Sequence, residues 1–179
     1  YAPNGGGMQR KNHHETCSNN NNSSNWDGID LNRNYSYMWG YDNEGSSPDP
    51  CYQTYRGISA FSEPETQAIR DFVLSHDFPI ALNYHAYGNL MIHPWGYEPG
   101  LDLPVDDDEA FQEIGEQLVL YNNYQLGTGI ETVGYTVNGE ACDWMYGEHG
   151  IYAYTPEVGN NSDGFWPATS RIVPLAEEN

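Results

Sequence analysis

The chain has 179 residues, a length that suits one domain with a core of its own. Its formal net charge of −20 leaves no basic face for nucleic acid and repels an anionic membrane surface; no apolar run is long enough to span a bilayer. Only 38% of residues are hydrophobic, but 15 Tyr, 5 Trp and 5 Phe supply packing area, so the composition points to a loop-rich globular domain rather than a disordered chain.

Residues 1–28 read as loop. The opening "YAPNGGGMQRKN" lacks an initiator Met and a leader, as in a processed or cut product. "CSNNNNSSNWDG" is a polar low-complexity insert. Sequons at Asn22, Asn34 and Asn160 carry little weight in so Asn-rich a chain. "GIDLNRNY" is a turn with a short apolar element, and residues 40–58 form another long loop, of a length that is usually either functional or disordered.

"SEPETQAIRDFVLSH" is the clearest helix: Ser62 with Glu65 makes a capping box, Pro64 sits in the first turn, and Ala68, Ile69, Phe72 and Val73 form one face. "FPIALNYH" reads as a buried strand and "NLMIHPWGY" as another. A second helix is expected over about 107–121, with Phe111, Ile114, Leu118 and Tyr121 on one stripe. The run Asp106, Asp107, Asp108 and Glu109 lacks the spacing of a calcium loop and suits a helix N-terminus. "DWMYGEHG" is a short helix ended by Gly150, and "IYAYTPEV" a strand ending at Pro156-Glu157. Strands alternating with helices give an α/β layer architecture, with no repeat and no composition shift to mark a second domain.

Each chemical feature has a structural alternative. His85 ends an apolar strand, where it is either a metal ligand or a hydrogen-bonded core histidine. Glu157 also ends an apolar strand; desolvation there makes a carboxylate a candidate general base, against a salt bridge or turn residue. Arg33, next to Asn32, offers paired donors that match a carboxylate, against an ion pair with one of 26 acids. Arg10 is a second candidate for stabilising an anion, against simple solvation. Tyr135 lies between Gly134 and Gly139, which would let its loop move as a lid, against ordinary aromatic packing. A Cys17–Cys51 disulfide would suit a secreted protein and leave Cys142 buried; the alternative is three free thiols.

In order along the chain, "RKN", "GIDLNRNY", "YRGISAFSEPET", "NYHAYGNLMIHPWGY", "GEACDWMYGEHGIYAYTPEV" and "GFWP" resemble the zinc metallocarboxypeptidases, the carboxypeptidase A/T-like peptidases, with the bacterial carboxypeptidase T branch nearest. The resemblance covers nearly the whole chain. It implies a mixed, mostly parallel sheet flanked by helices in an α/β/α arrangement, as one partial catalytic domain over residues 1–179. It implies Zn²⁺ as cofactor and peptide or protein C-termini as partners. His85 matches the third zinc ligand, Glu157 the glutamate that takes a proton from zinc-bound water, and Arg10 the oxyanion-stabilising arginine. Asn32, Arg33 and Tyr135 match the groups that hold the substrate's terminal carboxylate, and Tyr87 lines the neighbouring subsite. Glu140 stands where an acid in the carboxypeptidase T-like branch favours basic side chains, so mixed specificity is expected. Cys142 stands where other members use an apolar or an acidic residue.

The pattern is also broken in places. The family's first two zinc ligands come from a His-x-x-Glu upstream of the arginine-bearing loop, and no such motif stands here. Those ligands are expected before residue 1, in a segment that could act as a separate chain. "RIVPLAEEN" stops where the family begins its last helix, so the expectation is a chain truncated at both ends with apolar surface left open. Pro156 replaces the usual aromatic before the glutamate, and His13, His14 and His93 are spare imidazoles. The competing readings are a carboxylate-binding module without metal and a remnant without activity.

Overall fold

The computed structural model describes residues 10–17 and 27–179. The first nine residues, most of the Asn-rich insert and its sequon Asn22 lie outside them.

Four short strands form one sheet: β1 (Ile80–Leu82), β2 (Leu90–His93), β3 (Gln125–Thr128) and β4 (Tyr152–Glu157), in the order β1-β4-β2-β3. β1 pairs parallel to β4 and β2 parallel to β3, while β2 runs antiparallel to β4. The sheet is thus mixed and mostly parallel, as expected.

Helices cover both faces because side chains alternate along β4. Ala153 packs in a cluster with Val73 of α1 (Pro64–Leu74) and Trp144 and Met145 of α4 (Ala141–His149). Tyr154 packs with Met91 and with Phe111 of α2 (Val105–Leu118), and its hydroxyl donates to the Phe111 carbonyl at 2.8 Å. The acidic run Asp106–Asp108 occupies the first turn of α2, where the helix dipole favours it. Gly150, at φ 65°, ends α4 in the left-handed conformation.

Several local expectations are corrected. Ser62 does not cap α1: the N-cap is Glu63, with no side-chain capping bond. The Ser62 hydroxyl instead donates to Glu63 Oε1 and accepts from the buried Asn34 amide, so tertiary partners outbid the capping box. Of the predicted apolar face of α1 only Val73 is buried, and Ile69 and Phe72 stay exposed. β1 is a half-exposed edge strand rather than a buried one. Tyr121 lies beyond the end of α2 and is exposed. Two helices were not anticipated: α3 (Gly129–Thr132), started by a Thr128–Glu131 capping box, and α5 (Thr169–Glu178), in the stretch expected to stop short of a helix.

No helix or strand forms between residues 34 and 63 apart from a Ser47–Tyr55 bridge. Cys17 and Cys51 are disulfide-bonded across 34 residues, and Cys142 is free and buried. A loop of that length predicts about 4 kcal/mol of stabilisation from the chain-entropy model. The Cys17→Ser/Cys51→Ser chain should therefore unfold at a clearly lower urea midpoint. An unchanged midpoint would mean the loop is held by its hydrogen bonds alone.

Candidate active site

The parallel pairing of β1 and β4 continues past the end of β1. Asn83 N–H donates to the Tyr154 carbonyl at 2.8 Å, His85 N–H to Pro156 at 2.8 Å, and Val158 N–H to His85 at 3.0 Å. This bridge sets His85 beside Glu157 at the C-terminal ends of two parallel strands, the usual place for a ligand in an α/β sheet. Their closest side-chain atoms, His85 Nδ1 and Glu157 Oε1, are 3.8 Å apart, too far for a hydrogen bond. Glu157 Oε2 is buried and has no hydrogen-bond partner among the described residues.

Burial pushes the Glu157 carboxyl up to about 7, with the Arg10 charge pulling it back. Burial also lowers His85, helped by the charges of Arg10 and Arg33, so its ring is neutral at pH 7 and has a lone pair to give.

The cations gather around one carboxylate. Asp30 caps the 3-10 turn Leu31–Arg33 by accepting from Asn32 N–H. It also takes Arg10 Nε at 2.7 Å and lies 4.0 Å from Arg33 Nη1. Arg33 is only 4% exposed, and its Nε has no partner among the described residues. Two guanidiniums sharing one carboxylate leave a positive charge to be met by an anion.

Asn32 is more occupied than expected. Its side-chain oxygen accepts Ala141 N–H at 3.0 Å, at the start of α4, and its amide bonds Glu140. Glu140 is buried against Gly96, where a Cβ would strike its Oε1. Burial raises Glu140 to about 7, opposed by Arg33 and the Asn32 bond and reinforced by the Glu157 charge. Nearby Asp143 is raised by burial and by Glu140, while its oxygens accept from Gly96 and Tyr97 N–H.

The raised Glu140 value has a sign that can be tested. Its ordinary value is 4.5 and its folded value about 7, so the associated stability is complete below the unfolded value and is lost as pH rises through 7. Glu140→Gln should therefore gain thermal stability relative to wild type at about pH 8 compared with about pH 5. An equal difference at both pH values would assign the titration to another group.

Tyr135 follows α3 and is 54% exposed. Its loop is tied at Gly134 N–H to Gly129 O (3.0 Å), at Val137 N–H to Gly96 O (2.8 Å) and at Gly139 O to Tyr35 N–H (2.9 Å), leaving only Tyr135 and Thr136 without a backbone hydrogen bond among the described residues. All eight residues singled out from the sequence, namely Arg10, Asn32, Arg33, His85, Tyr87, Tyr135, Glu140 and Glu157, line one cavity of about 330 Å³. Sequence reasoning passed over Asp30, although an Asp two residues before Asn32 is a capping signal, and Phe165, which packs edge-on against Tyr87.

The chain matches the zinc carboxypeptidase family over residues 1–179. It belongs to that family. Among known members of the zinc carboxypeptidases, it is 34% identical over 160 residues to carboxypeptidase B of Astacus astacus and 35% identical over 156 residues to carboxypeptidase A1 of Mus musculus. These alignments cover 84% of the chain but 51% and 36% of the relatives, so the chain spans about half of the length of the first and about a third of the second. The carboxypeptidase A structure from Helicoverpa armigera superposes with TM-score 0.78 at 29% identity, over 94% of this chain and 42% of that one. Bovine thrombin-activatable fibrinolysis inhibitor, in complex with tick carboxypeptidase inhibitor, gives TM-score 0.76 at 28% identity, over 94% and 57%.

The family name implies zinc, and the donor set tests the fit. A catalytic zinc takes three protein ligands. Among the described residues no three His, Cys, Asp or Glu side chains come together to hold a metal, and residues 1–9 and 18–26 contain none of these types. The cavity offers one suitable imidazole, His85. His93 is a core histidine, its nitrogens facing Pro94 O and Gln112 and its ring stacked on Phe111. His14 pairs with Glu63 and His13 is exposed. The residues present fit part of a zinc site, not a whole one.

Proposed function

We propose that this chain carries the substrate-binding and proton-transfer part of a zinc carboxypeptidase active site, with His85 as one zinc ligand and the others supplied from outside the chain. The observation that supports this most is the single cavity. It joins a buried guanidinium awaiting an anion, a neutral imidazole and a carboxyl raised to about 7 with an unpartnered oxygen. Zinc, when bound, polarises a carbonyl and lowers the pKa of water.

The remaining work falls to residues of this chain. Arg33 takes the terminal carboxylate of a peptide, with Tyr135 closing over it, while Asn32, held by Ala141 N–H and Glu140, positions the floor of the subsite. Arg10, held by Asp30 and half exposed, stabilises negative charge developing on the scissile carbonyl oxygen. Glu157 accepts a proton near neutral pH and returns it to the leaving amine. Tyr87 and Phe165 flank the residue before the scissile bond. The proposed partners are peptide or protein C-termini, and the Cys17–Cys51 disulfide supports an extracellular setting.

The test is hydrolysis by the full-length protein of an N-acylated dipeptide and of its C-terminal amide, with zinc content measured on the same sample. Cleavage of the acid only, with one zinc per molecule, is the expected result. Equal cleavage of both, or of neither, would defeat the reading. The incomplete donor set favours a second reading, a metal-free carboxylate-binding module. That reading predicts binding of the acid without zinc and without cleavage.

Glu140 carries the proposed specificity. Ionised, it accepts a C-terminal Lys or Arg; neutral, it tolerates apolar residues. Glu140→Gln should weaken cleavage of C-terminal Lys by about tenfold, the loss expected for a charge-assisted hydrogen bond, and spare Leu. Equal loss for both would remove Glu140 from that role.

A further inference from the structure

Asp143 is a buried carboxyl to which the proposed chemistry gives no task. It lies in the first turn of α4, three residues after Glu140, and it does not line the cavity. One stretch of backbone takes both of its oxygens: Gly96 N–H donates to Oδ1 at 3.1 Å and to Oδ2 at 3.0 Å, and Tyr97 N–H donates to Oδ2 at 3.2 Å. Gly96 is also the residue against which Glu140 rests, because only a glycine there leaves room for Glu140 Oε1. Its carbonyl accepts Val137 N–H at 2.8 Å, so the niche for Glu140 is fixed from both sides of Gly96.

Two carboxyls buried within one helical turn do not both ionise near neutral pH, so the pair keeps one proton. The donors around them decide which member carries the charge. Asp143 accepts three contacts from backbone N–H groups and sits where the helix dipole favours an anion. Glu140 has the Asn32 amide and the attraction of Arg33, the guanidinium that a substrate carboxylate claims. The other titratable groups facing the pair are Glu157 on β4, Cys142 on α4, and the phenols of Tyr37 and Tyr97. Burial raises the thiol and both phenols, so they stay neutral at working pH. We propose that Asp143 is a positioning residue for Glu140: its fixed negative charge holds the proton on Glu140, and so sets the pH at which the pocket changes from apolar to basic C-terminal residues. The inference rests on the carboxypeptidase reading and on the specificity role given to Glu140 above.

The experiment uses the full-length protein and its Asp143→Asn, Glu140→Gln and doubly substituted variants. The ratio of kcat/KM for N-acylated dipeptides ending in Lys and in Leu is followed from pH 5.5 to 8.5. Taking the ratio cancels the titration of Glu157, which both substrates share. In the wild type the ratio rises through about pH 7, where Glu140 ionises. Asp143→Asn should move that rise down by about one pH unit or more, the coupling expected of such a pair. In the Glu140→Gln background the same substitution should leave the ratio flat. A merely structural role for Asp143 would alter rates without moving the midpoint, and a midpoint that stays in place overturns the inference while sparing the functional reading. Carboxyl ¹³C resonances of the wild type give a readout that needs neither turnover nor a folded Asp143 variant. An Asp143 signal at the ionised position at pH 6, with Glu140 still protonated, supports the inference; an Asp143 that stays protonated to pH 8 overturns it. Absence of cleavage of both substrates defeats the functional reading, and the resonances still decide where the charge lies.

Discussion

Glu157→Gln lowers kcat of the full-length protein by about 10³-fold, within the range expected for loss of a general acid–base group, while KM changes little. The substitution keeps the shape of the side chain and its place at the end of β4. It removes only the ability to accept and return a proton. Burial makes the native carboxyl suited to that task, since a group near 7 can both accept and release a proton at neutral pH. Steady-state kinetics with zinc content recorded on the same preparation checks the prediction. A loss of activity that follows a loss of zinc would make Glu157 part of the metal's support instead. Retained activity would place the base elsewhere.

Arg33→Met raises KM for peptides with a free C-terminal carboxylate by about 10–100-fold, the equivalent of the 1.5–3 kcal/mol typical of a charged hydrogen bond. The guanidinium is buried, shares Asp30 with Arg10, and keeps a side-chain nitrogen without a partner among the described residues. Methionine fills a similar volume, and Arg10 still neutralises Asp30, so the fold should survive. The effect is selective: C-terminal amides, which do not engage the guanidinium, should be cleaved no better and no worse than by the wild type, and cleavage of the acid should fall toward that level. Arg33→Lys should fall between the two, because an ammonium lacks the fork that grips both oxygens. A KM that rises equally for acid and amide would show that the variant disturbs the cavity as a whole.

The site was more legible in the sequence than the surface around it. His85 and Glu157 each follow an apolar run, and because β1 and β4 pair in parallel the two runs end side by side, although β1 itself is half exposed. Gly150 and the Asp106–Asp108 run signal a helix end and a helix start through local chemistry alone, and both proved right. Ser62 failed as a cap because Asn34, 28 residues away, claims its hydroxyl, and local pattern carries no word of that. The apolar face of α1 shows how periodicity can name a face without naming what lies against it: Phe72 is on that face and remains exposed. Asn32 looked like a free carboxylate ligand, yet only the fold brings Ala141 and Glu140 to its two ends. The capping box that starts α3 was readable as Thr128-x-x-Glu131, but one turn of helix is too short to show any periodicity.

The ladder around Glu157 has a consequence for how this site can change. Glu157 is bridged to His85 on one side and paired with Leu90 of β2 on the other, one contact parallel and one antiparallel. Successive strand residues point to opposite faces, so a slip of one position would turn Glu157 away from the cavity altogether. The gap between imidazole and carboxyl therefore has discrete settings and no continuous adjustment. Substitutions inside β4 will either preserve the spacing or abolish it. Gradual tuning of activity has to come from the loops that carry Arg10, Arg33 and Tyr135, where backbone can shift by fractions of an ångström without breaking a register.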